Sequence, residues 1–133
     1  MRTLSILIVV IVLTLMSVIW AADHVTVEPK DSRWEDVPAL PPGTKVAVIE
    51  GPLDQAPPFI LRFKFPADCK IPAPCHPAIE HVTVLSGTLN MGTGDKLDLA
   101  ETHALPAGSV SIIPAKINHF GWTKEETIVQ VHG

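Results

Sequence analysis

The chain has 133 residues, a length that suits one domain. It carries 10 Lys and Arg against 14 Asp and Glu, for a formal net charge of -4, with no basic run. That balance gives no electrostatic reason to bind nucleic acid, which is excluded as a partner class.

Residues 1–22 have a composition of their own. Arg2 is a short positive start, Leu4 to Trp20 is apolar apart from Ser5, Thr14 and Ser17, and Ala21-Ala22 precede Asp23, the first acid. This is the order of a secretory signal. The apolar run is long for a signal and just short of the roughly 20 residues of a spanning helix. The segment therefore reads as a signal peptide that is removed or as an anchor that stays. Either places the domain in the periplasm or outside the cell, with membrane contact only if the segment is uncleaved. Loss of the segment through Ala21 removes Arg2 and no acid, leaving -5.

Residues 23–58 read as an extended N-terminal arm, with turns at Val37-Pro38 and Pro41-Pro42-Gly43 and a short strand at Lys45 to Glu50. Residues 59–133 carry a β signal. Phe59 to Phe65 alternates, with phenylalanines and Leu61 against Arg62 and Lys64. Further strands are predicted at Glu80 to Leu85, Thr88 to Met91, Thr102 to Leu105, Ser109 to Ile113 and Thr127 to His132, separated by Gly and Pro turns. Proline recurs too often for a helix after residue 22. Short, closely spaced strands predict an all-β sandwich or barrel.

Six histidines occur, and position ranks them. His76 and Glu80 bracket the turn into a strand, and His119 follows the Pro114 turn. His76, three residues, Glu80, six residues and Gly87 resemble the second half of the first cupin motif. Gly108, five residues, Pro114 and then His119 resemble the second. Glu80 to Leu89, Ala104 to Ser109 and Val129 to Gly133 are similar to small exported bacterial cupin-domain proteins. The resemblance implies a single cupin-like β-barrel, the double-stranded β-helix or jelly roll. It also implies metal ligation by His76, Glu80 and His119, and a homodimer joined through sheet edges.

Three departures bear on that reading. The family's histidine two residues before the His76 position is Pro74, which cannot ligate. The glycine two residues after the second motif's proline is Lys116. The chain stops at Gly133, where the resemblance leads one to expect more chain, and the expectation is either a missing closing strand or a fragment. Two histidines and one carboxylate remain, the count of a non-heme iron triad with open positions. Fe, Mn, Zn and Ni all suit such ligands. The opposing reading is a decayed site that stays empty.

Cys69 and Cys75 are the only cysteines. A disulfide between them fits an exported domain, with an entropic benefit under ~3 kcal/mol for so short a loop. Cys75 could instead replace the lost histidine as a thiolate ligand, favouring Zn or Cu over Fe. Two unpaired thiols are the third reading. His81, beside Glu80, points to the opposite strand face. His24, His103 and His132 read as surface or strand-end residues. Trp34, Trp122, Phe120 and Met91 read as core or pocket wall. No Ser/His/Asp set or phosphate loop stands out, and Gly92-Thr93-Gly94 lacks a strand-to-helix context. Three functions follow as expectations: a metal-binding cupin acting on a small molecule, a non-catalytic cupin that binds a small ligand or senses it, and an anchored interaction module if the apolar segment is not removed. Whether the chain is an enzyme is left open.

Overall fold

A computed structural model describes residues 24–51, 58–73 and 78–133. The expected signal or anchor, together with Pro74, Cys75 and His76, lies outside the described residues. Among those residues, no helix is long and apolar enough to cross a membrane.

Strands make up nearly all the regular secondary structure of the described chain. They are β1 (Glu35–Asp36), β2 (Lys45–Glu50), β3 (Ile60–Phe65), β4 (Cys69–Ile71), β5 (Glu80–Ser86), β6 (Thr88–Thr93), β7 (His103–Pro106), β8 (Val110–Ile113), β9 (His119–Thr123) and β10 (Thr127–His132), with 3₁₀ turns at Pro29–Asp31 and Leu99–Glu101. They form a six-stranded sheet in the order β1-β2-β3-β10-β5-β8 and a four-stranded sheet in the order β4-β9-β6-β7. Every pairing is antiparallel. The sequence places the long central strands because their alternation is clean. It misses β1, β4 and β9, which are short or interrupted by glycine.

The core follows from the alternation. Phe65 of β3, Val82 and Val84 of β5, Leu89 of β6, and Val129 and Val131 of β10 form one buried cluster between the sheets, joined by Cys69. Burial of such side chains contributes on the order of 1.5–3 kcal/mol each, the main favourable term in the fold. Phe63 and Phe65, two apart on β3, stack with ring centroids 5.9 Å apart.

The arm belongs to the sheet. β2 pairs along β3 from Lys45↔Lys64 to Glu50↔Ile60. The chain before β1 crosses the outward face of β3, where Arg62 donates to Ser32 Oγ at 3.2 Å and to Gln130 Oε1 at 3.1 Å. Lys64 Nζ lies 4.4 Å from the Trp34 ring centroid. Trp34 therefore contributes a cation–π contact on the outside of the sheet and is no part of the cavity wall, which corrects the expectation for it. Trp122 is a pocket wall, as expected, but of a second pocket that it lines with Thr88, Asn90, Lys124 and Glu125, and its indole donates to Thr102 Oγ1 at 3.1 Å.

Candidate functional site

β5 begins with Glu80 and β9 begins with His119. These strands belong to different sheets, so only closure of the two sheets brings the residues together. Glu80 shares the inward face of β5 with Val82 and Val84, while His81 turns outward, as strand alternation requires. The two side chains are each 12% exposed, and His119 Nε2 lies 3.6 Å from Glu80 Oε2.

The orientation of His119 is fixed from behind. Its Nδ1 lies 3.1 Å from the carbonyl oxygen of Ile117. A carbonyl only accepts, so Nδ1 carries the proton and donates. That leaves Nε2 as the ring nitrogen on the side of the carboxylate, where a proton or a cation can be shared between the two. Two ligands held about 2.1 Å from one metal at a tetrahedral angle stand roughly 3.4 Å apart, so the observed separation fits shared coordination. A backbone carbonyl that sets a ligand's tautomer is a common supporting contact in metal sites. It is invisible in sequence, because any residue at position 117 offers the same oxygen.

His76, the third expected ligand, lies outside the described residues, as does Cys75. Among the described residues, no group of three or more His, Cys, Asp or Glu side chains is placed to hold a metal. Cys69 is a buried free thiol on β4. Burial pushes its pKa up, against a smaller lowering by the Thr44 hydroxyl 4.0 Å away.

The other histidines sit apart from this pair. His81 stacks on its cross-strand neighbour His132, with centroids 4.8 Å apart and planes 7° from parallel. His24 and His103 are exposed.

Glu80 and His119 open into a cavity of about 360 Å³ between the sheets. Its walls come from β3 (Leu61, Phe63), β6 (Met91) and β10 (Val129, Val131), with Leu40 of the arm at one side. Met91 and Phe120 line it, as the sequence suggests. Gly121 keeps the β9 wall thin. A Cβ there would lie 3.2 Å from Asn90 O and 3.3 Å from Leu89 Cδ1, on the inward side.

No protein-family model matches the chain, and no curated protein matches it. Solved structures do. An RmlC-like cupin from Shewanella frigidimarina superposes with a TM-score of 0.65 at 14% identity, covering 84% of this chain and 89% of that one. KdgF from Halomonas sp. gives 0.63 at 15% identity, covering 83% and 93%. The polyketide cyclase RemF from Streptomyces resistomycificus gives 0.68 at 19% identity, covering 83% and 78%. Identities this low speak to architecture alone. The two antiparallel sheets, the cavity between them and these neighbours together establish that the chain has the fold of the cupin superfamily.

Proposed function

We propose that this is an exported cupin whose barrel holds one divalent metal on His76, Glu80 and His119 and acts on, or binds, a small molecule beside it. The observation that carries the reading is the convergence of His119 Nε2 and Glu80 Oε2 at 3.6 Å with the imidazole tautomer set by Ile117 O. Imidazole and carboxylate donors suit Fe, Mn, Zn or Ni. Such an ion, when bound, supplies a Lewis acid with open coordination positions. The protein's own part is to orient the His119 ring, to aim Glu80 inward, and to surround both with apolar walls that limit water. Pro74 removes a fourth donor, which leaves more of the coordination sphere open to ligand.

The test is metal content of the purified exported form, measured beside His119→Ala and Glu80→Gln. The expected result is near-stoichiometric metal in the parent and a loss of at least tenfold in affinity in each variant. Negligible metal in the parent would sink the reading. A second reading, a non-catalytic ligand-binding or sensor cupin, is favoured by the scarcity of polar groups in the cavity: among its described lining residues only Glu80 and His119 carry charged or titratable side chains. Under that reading ligand binding persists in metal-free protein.

A further inference from the structure

We infer that the cavity takes a largely apolar, ring-containing molecule of about two fused rings, carrying its hydrogen-bonding oxygen at one end. This rests on the reading above only in taking the cavity beside Glu80 and His119 as the functional site.

Size comes first. A cavity of ~150 Å³ lined by Leu, Ile and Phe admits one benzene ring. The cavity here is about 360 Å³, more than twice that, which leaves room for a second ring. Chemistry comes next. Leu61, Phe63, Met91, Val129 and Val131 offer no hydrogen-bond partner, and among the described lining residues none is Lys, Arg, Ser, Thr, Asn or Gln. A sugar or a dicarboxylic acid distributes polar atoms along its whole length. Seated here it would bury several of them against methyl groups and ring faces, and each unpaired polar group opposes binding. The polar side chains among the described lining residues, Glu80 and His119, lie 3.6 Å apart and so serve one point. A hydroxyl placed there donates to the Glu80 carboxylate, while the rings extend along β3 and β10. Phe63 and Phe65, stacked on β3, offer an aromatic wall to such a ring system.

The experiment titrates four probes into the full chain as purified: 2-naphthol, naphthalene, glucuronate and succinate. Binding is read by calorimetry or ligand-observed NMR, and metal content is measured on the same sample. The expected order is 2-naphthol at least tenfold tighter than glucuronate and succinate, and severalfold tighter than naphthalene. Leu61→Trp, which pushes an indole into the cavity from β3, is expected to weaken 2-naphthol at least tenfold with metal content unchanged. Leu61→Phe gives a graded loss if the larger residue impairs folding. Glucuronate or succinate binding as tightly as 2-naphthol overturns the inference. So does 2-naphthol binding that both Leu61 variants leave intact. The two readings fail separately. A metal-free protein that binds 2-naphthol through Leu61 removes the metal centre and keeps the ligand class. A metal-loaded protein that prefers glucuronate does the reverse.

Discussion

The two motif glycines, Gly87 and Gly108, are alike in sequence and unlike in space, and replacing each with alanine separates two physical costs. Gly87 joins β5 to β6 at φ +75°. A Cβ there would lie 2.5 Å from the Glu126 carbonyl oxygen, 2.6 Å from Thr127 Oγ1 and 2.9 Å from Thr127 Cα. Two of those atoms are backbone and cannot rotate aside. Gly108 has a similar φ of +90°, but nothing lies within 4 Å of its Cβ position. The left-handed conformation costs an alanine about 1–2 kcal/mol, offset by ~0.4–1 kcal/mol from the stiffer unfolded chain. Forcing a methyl into occupied space adds about 1–3 kcal/mol. Gly108→Ala should therefore lose about 0.5–1 kcal/mol and Gly87→Ala about 2–4 kcal/mol. Thr127 would also be pushed from its bonds to Thr88 O and Glu125 O. Equilibrium urea denaturation followed by circular dichroism measures both, with an unchanged m-value as the check that the denatured state is the same. Equal losses in the two variants would refute the contact argument and leave backbone strain as the sole cost.

Lys116, where the family pattern has glycine, sits at φ +63°. Lys116→Gly should relieve the strain and, after the entropic cost of glycine, stabilise by up to about 1 kcal/mol; a lower melting temperature would count against it. Burial raises the Cys69 pKa above the ordinary 9.0. The unfolded thiol then loses its proton at lower pH than the folded one, so this contribution to stability is present below pH 9.0 and lost as pH climbs above it. Cys69→Ser should flatten the alkaline limb of the pH–stability curve, and an unchanged limb would assign the effect elsewhere. β8 is an edge strand whose outward Val110 and Ile112 are 57% and 65% exposed. Sedimentation is expected to find a dimer that Ile112→Lys converts to monomer, since charge on an edge strand opposes pairing; a monomeric parent would remove the expected sheet-edge dimer.

Much of the architecture is legible in the sequence. The alternation of Phe59 to Phe65 and of Thr127 to His132 assigns inward and outward faces directly, because a strand's side chains repeat every two residues. The histidine, glutamate and glycine offsets single out His76, Glu80 and His119, of which His76 lies outside the described residues. β4 was not legible: it has three residues, follows Asp68 at φ +55° and runs into Pro72. β9 was hidden because Gly121 interrupts its hydrophobic pattern. That glycine reads as a break in one dimension, yet it faces inward where Leu89 and Ile71 already fill the space.

By itself the sequence determined which residues have the chemistry of a ligand and which strand faces are apolar, since both are local properties of side chains and their period. Only the tertiary structure decided that Glu80 of one sheet meets His119 of the other at 3.6 Å. It also decided that Ile117 O orients the imidazole and that Trp34 covers the outside of β3 while phenylalanines wall the cavity. Those outcomes depend on how two sheets close over one another, and strand periodicity carries no information about which distant strand will stand opposite.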